Sequence, residues 1–172
     1  MDGRDRPGQD GAVEARVKLS PRLHVTELFF RPTLNGDAEN RIMTTRVAHC
    51  ACRRLAAEAQ GEPLIVSACH CTECQRRTGS PFGLGAWYAK DKVRIAGETK
   101  TFIRPVEDRT VINHFCPTCG GTVLWEASKR EGLIAIAIGM FGDPAFPPPA
   151  RSIYESHRHP WIEFQGAMEH LA

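Results

Sequence analysis

The chain has 172 residues and a formal net charge of +2, with 42% hydrophobic and 24% charged residues. This length suits one domain with its own core and is short for two. The balanced charge and the lack of a block of basic residues argue against a nucleic-acid or membrane surface. No apolar run approaches the roughly 20 residues of a membrane helix. We therefore expect a globular protein with neither a nucleic-acid nor a membrane partner.

Residues 1–42 differ from the rest because they contain no cysteine and equal numbers of basic and acidic side chains. Only residues 23–30 are apolar enough to be buried, and prolines flank them. We expect residues 1–42 to be a poorly ordered or dispensable extension and residues 43–172 to be the folded domain. The N-terminus has neither the apolar core of a secretion signal nor the composition of a transit peptide, so we expect a cytoplasmic protein.

After residue 43, short apolar and β-branched runs alternate with turn residues. This pattern predicts a mainly β fold of antiparallel strands. Residues 133–138 are apolar throughout, which is typical of a strand covered on both faces. The predicted strands comprise residues 63–69, 87–88, 93–95, 100–103, 111–115, 122–125 and 133–138.

Two segments between these strands have helical signals. Residues 53–60 contain strong helix formers, and propensity alone predicts a helix there. Residues 72–78 predict one short helical turn that ends at Gly79. We also expect Trp161 to lie in the core.

Cysteine usage is the most informative feature of the sequence. An odd number of cysteines leaves one over in any complete disulfide pairing, and a reducing cytoplasm disfavours disulfides. Clustered free thiols instead indicate metal ligands, and zinc is the metal that thiolates hold without a redox partner. The seven cysteines are Cys50, Cys52, Cys69, Cys71, Cys74, Cys116 and Cys119.

Cys116 and Cys119, followed by two glycines, have the form of a zinc knuckle. A knuckle supplies two ligands, whereas a structural zinc ion takes four. Adding Cys50 and Cys52 gives a closed four-thiolate site that ties the start of the domain to a later hairpin. Such a site contributes on the order of 10 kcal/mol to folding in small zinc peptides.

Cys69, Cys71 and Cys74 then remain as a set of three. Three protein ligands with one open position are typical of catalytic zinc. The open position would take water, an incoming thiol or a side chain. His70 is the alternative fourth ligand, and it would make this second site structural.

Two arginines directly follow the three cysteines. A guanidinium group binds carboxylate bidentately, so Arg76 and Arg77 are candidate contacts for the carboxylate of a bound thiol. The alternative is a solvated charge at a helix end. Gly79, Gly83 and Gly85 come next, and they either form turns or let a ligand approach the backbone.

Four motifs together resemble the glutathione-dependent formaldehyde-activating enzyme family, which also includes the centromere protein V type domain. They are HCAC at residues 49–52, CHCTECQRRTGSPFG at 69–83, FCPTCGG at 115–121 and HPWIEF at 159–164. The resemblance covers residues 46–165. Ala48 and Arg53 stand where the family usually has glycines beside its first cysteine pair.

The resemblance implies a β-tent-like fold of coiled antiparallel sheets organised around zinc, with one short helical turn and with residues 53–60 in a strand. It implies two zinc ions, one structural and one labile. The structural ion would be held by Cys50, Cys52, Cys116 and Cys119. The second would be held by Cys69, Cys71 and Cys74.

The family activity is the condensation of glutathione with formaldehyde to S-hydroxymethylglutathione, formally a carbon–sulfur lyase reaction in reverse. The leading hypothesis is therefore a zinc-dependent carbon–sulfur lyase with glutathione or a similar small thiol as its partner and Cys69, Cys71 and Cys74 as its reactive site. The alternative is a non-catalytic zinc module that binds another protein or a thiol. The sequence gives no prediction for the carbonyl partner or the oligomeric state.

Overall fold

The structure is a computed structural model that describes residues 44–106, 108–166 and 168–172. The expectation for residues 1–42 lies outside the described residues. Within them, the chain forms one α-helix, α1 (Thr72–Thr78), and two sheets. The strands are β1 (Thr45–His49), β2 (Ala56–Gln60), β3 (Ile65–Cys69), β4 (Gly83–Ala89), β5 (Val93–Ala96), β6 (Lys100–Val106), β7 (Arg109–Phe115), β8 (Thr122–Ala127), β9 (Leu133–Ala137), β10 (Arg151–Ile153) and β11 (Glu169–Leu171). The mainly β fold class is thus confirmed.

The small sheet has the strand order β1-β2-β5, and the large sheet has the order β11-β10-β3-β4-β9-β8-β7-β6. Every neighbouring pair is antiparallel except β10, which runs parallel to both β3 and β11. The parallel pairings arise because the chain returns to the sheet edge from a distant connection rather than through a hairpin.

β2 overturns the helix that propensity predicts for residues 53–60. Ala56–Gln60 is the central strand of the small sheet, paired with β1 on one side and β5 on the other. Ala57 and Ala59 are fully buried. Their small side chains let the two sheets approach closely, and hydrogen bonds to two neighbouring strands outweigh an intrinsic preference of a few tenths of a kcal/mol per residue. The strand implied by the family resemblance is correct here.

The core lies between the small sheet and one face of the large sheet. From the large sheet, Tyr88, Leu124 and Ile136 are buried, and from the small sheet and its loop, Ala57 and Leu55 are buried against them. Directly paired residues of neighbouring strands point to the same side of a sheet. The opposite face, which carries Trp87 and Trp125, is therefore left free of the core.

The large sheet curls around this opposite face. Arg109 on β7 donates a hydrogen bond to the hydroxyl of Tyr154, just after β10, over 2.7 Å. Five inter-strand steps separate β7 from β10, and in a flat sheet these would span roughly 24 Å. Two side chains cannot bridge that distance, so the face with Trp87 and Trp125 is concave. We call it the concave face.

Helix α1 begins after Cys71, whose sulfur accepts a hydrogen bond from the amide of Cys74 at 3.4 Å. It ends at Gly79, which has φ 64° and so takes the left-handed conformation that favours glycine. The predicted short helix is confirmed. No helix among the described residues is long and apolar enough to cross a membrane.

Candidate metal centres

The first cluster joins two hairpins through Cys50, Cys52, Cys116 and Cys119, whose sulfurs all lie within 4.8 Å of one another. The sulfur of Cys52 is 3.6 Å from those of both Cys50 and Cys116. A tetrahedral zinc site with zinc–sulfur bonds of about 2.3 Å requires sulfur–sulfur distances of about 3.8 Å. The predicted set of four cysteines therefore comes together with spacings that fit one zinc ion.

Backbone amides surround these four sulfurs. The Leu55 amide donates to the Cys50 sulfur at 3.3 Å. Hydrogen bonds from the amides of Cys52 and Gly121 lower the pKa of Cys119 to about 6. Amide donors stabilise thiolates over thiols, so the loops favour the ionised form that binds metal.

Arg53, which stands where the family usually has a glycine after the first cysteine pair, adopts a glycine-like backbone conformation. Its φ is 61°, in the left-handed region that glycine adopts without strain. The turn after Cys52 keeps this conformation because the Arg53 amide donates to the Cys50 carbonyl at 2.9 Å. Ala48, at the other position, is a buried residue of β1 with no such strain.

The second cluster consists of Cys69 at the end of β3, Cys71 before α1 and Cys74 within it, again with all sulfurs within 4.8 Å. The Cys69 and Cys71 sulfurs are 3.4 Å apart. All three residues are half-buried, whereas Cys50 and Cys116 of the first cluster are fully covered. The spacing provides three potential ligands for one ion, and no fourth cysteine, histidine or carboxylate joins them among the described residues.

Ionisation of these three thiols is strongly unequal. Hydrogen bonds from the thiols of Cys69 and Cys74 lower the pKa of Cys71, and the same contact with Cys71 raises the pKa of Cys69. One thiolate is thus stabilised by its two neighbours, and further negative charge at this spacing requires a cation. This donor set fits a thiophilic divalent metal.

His70 does not belong to either group of potential ligands. Its ring is fully buried, and Nε2 shares a hydrogen bond of 3.0 Å with the Ser152 hydroxyl on β10. The ring also packs against Phe82 and Phe164, with centroids 6.0 and 5.8 Å away. His70 therefore anchors the loop of the second cluster to β10, and it does not occupy the position of a fourth ligand.

Gln75 is a site residue that sequence reasoning missed. Its amide nitrogen donates to the carbonyls of His70 at 2.7 Å and His157 at 3.2 Å, and its amide oxygen is 3.2 Å from His159 Nε2. Gln75 thus ties the loop of the second cluster to the C-terminal segment. Only the HPWIEF motif marks that segment in the sequence. Trp161 in this motif is 67% exposed, so its predicted place in the core is wrong.

The two candidate arginines have different positions. Arg76 is exposed and donates to the carboxylate of Glu73 at 2.9 Å. Arg77 stacks over the Trp125 ring on the concave face, 4.2 Å from its centroid. Despite a hydrogen bond with Cys69, contact with Cys71 and burial raise the pKa of Cys74, and the positive charge of Arg77 opposes this rise. Of the two, only Arg77 faces the second cluster and the concave face.

Two of the three glycines make room for this arrangement. A Cβ atom at Gly83 would lie 2.8 Å from Arg77 Nη2, and one at Gly85 would lie 2.6 Å from the Trp125 ring. Both contacts are too close for real side chains. β4 therefore has glycine where the side chains of Arg77 and Trp125 press against its backbone, which is neither a turn nor the approach of a ligand.

Comparison with known proteins identifies a family. The family model for the glutathione-dependent formaldehyde-activating enzyme matches residues 45–157. A solved protein from Rhodobacter sphaeroides is 17% identical, with a TM-score of 0.46 over 59% of this chain and 91% of the other. A search of curated proteins finds no match. With more than half of its length matched by the family model and both cysteine clusters assembled, the chain belongs to the glutathione-dependent formaldehyde-activating enzyme family.

Proposed function

We propose that this protein is a zinc-dependent carbon–sulfur lyase-like enzyme that condenses a thiol such as glutathione with formaldehyde or a related small carbonyl. The observation that carries the proposal is the three-sulfur cluster, which is half-buried and lacks a fourth protein ligand among the described residues. A structural site takes four protein ligands, whereas a reactive one keeps a position open. Membership of the family supports the choice of reactants.

The reaction balances without an oxidant or reductant. The thiol sulfur forms a bond to the carbonyl carbon, and the electron pair of the carbon–oxygen π bond moves to the oxygen. That oxygen takes up the proton that the thiol loses, which gives the hydroxymethyl thioether. The reverse direction is the lyase reaction.

The cluster's proposed role is to favour the thiolate at the open side. A free thiol has a pKa near 8.5, so only a few per cent is ionised at neutral pH. Zinc bound by Cys69, Cys71 and Cys74 would supply the positive charge that lowers this pKa or polarises a carbonyl oxygen.

Arg77 is the side chain that we propose orients the thiol substrate. Its stack on Trp125 holds the guanidinium beside Cys74, where it can bind a substrate carboxylate. Fixing the carboxylate fixes the distance of the thiol from the cluster and gives a positional advantage. The described cysteines are all free, which supports a reducing compartment and a cytoplasmic protein.

The experiment mixes the zinc-loaded protein with glutathione and formaldehyde and follows adduct formation by NMR exchange spectroscopy. We expect exchange faster than the uncatalysed reaction, and we expect Cys71→Ser to abolish the acceleration without unfolding the protein. A folded wild-type protein with two bound zinc ions and an uncatalysed rate would refute the enzyme and favour a non-catalytic zinc module.

A further inference from the structure

The concave face gathers arginines from distant parts of the chain. Arg77 comes from α1, Arg104 from β6, Arg109 from β7 and Arg130 from the β8–β9 connection. Three of them cover aromatic rings: Arg77 lies over Trp125, Arg130 over Trp87 and Arg109 over Tyr154. Stacking restricts these long side chains to one side of the ring and holds their charges at the curled sheet.

Two of these arginines lie a short distance apart across the floor of the concave face. The guanidinium carbon of Arg77 is 4.2 Å from the Trp125 centroid, and that of Arg130 is 4.7 Å from the Trp87 centroid. The two indole centroids are 6.3 Å apart. The guanidinium carbons are therefore separated by no more than the sum of these distances, about 15 Å.

Arg130 belongs to a local group of positive charges. Burial, followed by the charges of Arg151 and Arg109, lowers the pKa of Arg130. Arg151 is paired with Glu169 at 2.8 Å, but among the described residues no carboxylate lies within ion-pair distance of Arg130 or Arg77. Tyr154, which orients Arg109, holds the left-handed conformation with φ 57°. Strain of this kind in a non-glycine residue is often retained at binding sites.

Buried polar atoms on the same face lack partners within the described part of the chain. They are Nη2 of Arg77 and Oδ1 of Asn113. Nη1 of Arg104 lies 3.7 Å from the Glu73 carboxylate and so has an ion-pair partner. Asn113 is only 3% exposed and pairs with Trp125 in the sheet register, so it lies beside the Arg77 stack. Buried donors and acceptors are normally satisfied. An ordered water or a polar ligand group in this region would satisfy them.

We propose that Arg130 forms a second carboxylate subsite that selects thiols carrying two separated carboxylates, one held by Arg77 beside the three-sulfur cluster and the other by Arg130. This inference rests on the proposed function. An extended tripeptide spans about 10 Å, which lies within the upper limit on the Arg77–Arg130 separation. A guanidinium group best suits a carboxylate with no ammonium group beside it, such as the C-terminal carboxylate of a small peptide.

The same geometry disfavours a nucleic acid on this face. Single-stranded nucleic acids bind through bases stacked on exposed aromatic rings. Here Trp87 is 7% exposed and Arg130 already covers its ring. The charges are thus available to a ligand, but this ring is not.

The test is isothermal titration of the zinc-loaded full chain with glutathione and with glutathione monoethyl ester, whose glycine carboxylate is blocked. For the wild type we expect the ester to bind about tenfold more weakly, the loss typical of one charge-assisted contact. For Arg130→Gln we expect glutathione itself to bind about tenfold more weakly and the ester to bind no worse than glutathione. Lys129→Gln is the matched control, because Lys129 is in the same connection but is paired with Asp108.

Thermal melts of both variants check folding, and Arg130→Lys provides a second variant that keeps the charge and should recover part of the selectivity. Equal binding of the two ligands by the wild type, or unchanged selectivity in Arg130→Gln, would overturn the second subsite while leaving the condensation reaction intact. Absence of glutathione binding together with an uncatalysed condensation rate would remove the proposed function and, with it, this inference.

Discussion

The two cysteine clusters use the same ligand atom but differ in what surrounds them. The four-sulfur cluster joins the β1–β2 and β7–β8 connections, which come from different sheets, and it includes the fully buried Cys116. The three-sulfur cluster lies within residues 69–74, at one strand end and one helix start, and all its members are half-buried. A cluster that joins distant elements stabilises the fold, whereas one built from a single short segment leaves a side open for a ligand.

The largest expected effect is the difference in folding between a cysteine substitution in the four-sulfur cluster and one in the three-sulfur cluster. Cys116→Ser should unfold the domain, because the metal that this cluster holds contributes on the order of 10 kcal/mol to folding in small zinc proteins. Cys71→Ser should leave a cooperative fold, because its cluster closes only a six-residue segment. Circular dichroism melts of the two zinc-loaded variants measure the difference. Equal loss of structure in both would contradict the division into a structural and a reactive site.

Stepwise removal of the metal should also distinguish the two clusters. With a chelator, we expect one of two zinc ions to leave first, with loss of condensation activity and an unchanged circular dichroism spectrum. The reason is that the open cluster offers three ligands and access from one side. Native mass spectrometry counts the ions at each step. Simultaneous loss of both ions with unfolding would show that the clusters are equivalent.

A smaller loss of stability should follow when the hydrogen bond between His70 and Ser152, beside the three-sulfur cluster, is removed. Ser152→Ala leaves the buried Nε2 of His70 without its partner, which should cost about 1–3 kcal/mol of unfolding free energy. Urea denaturation measures this loss. Ser156→Ala is the matched control, since Ser156 is exposed in the next turn, and it should change stability by less than about 0.5 kcal/mol. A neutral Ser152→Ala would remove the anchoring role of His70.

Replacing the strained residue Arg53, beside the four-sulfur cluster, should stabilise the protein modestly. Arg53→Gly should raise the free energy of unfolding by about 0.5–1 kcal/mol, because glycine adopts a φ of 61° without a Cβ clash. The neighbouring Arg54 lies outside the left-handed region, so Arg54→Gly should destabilise the protein through chain entropy. The same urea titrations compare the two. A loss in Arg53→Gly would mean that its side chain has contacts that outweigh the strain.

The last comparison is between the two neighbouring arginines, and the smallest effect of all is expected for Arg76. Arg76→Ala should change stability by less than about 0.5 kcal/mol and leave KM for glutathione within a factor of about two, because an exposed ion pair with Glu73 contributes little. Arg77→Ala should raise KM at least about tenfold through loss of a charge-assisted contact. Steady-state kinetics at several glutathione concentrations make the comparison. Equal effects would show that the stack on Trp125 does not select between them.

Local sequence was enough to predict the two groups of cysteines that come together and most of the strands. Cysteine spacing is a local property, because a gap of one or two residues places two sulfurs on one side of a turn whatever the rest of the chain does. The helix after Cys71 and its end at Gly79 were predictable for the same reason, since capping depends on adjacent residues. The motifs also sufficed to identify the family.

Three features depend on contacts between residues that are far apart in the sequence, so local patterns did not predict them. β2 is a strand because β1 and β5 supply its hydrogen bonds, despite the helix formers in residues 53–60. Arg77 rather than Arg76 faces the cluster because Trp125, on β8, covers one side of its guanidinium. The arginines of the concave face converge because the sheet curls, and this curl accumulates from the twist between many neighbouring strands. A short stretch of sequence cannot predict it.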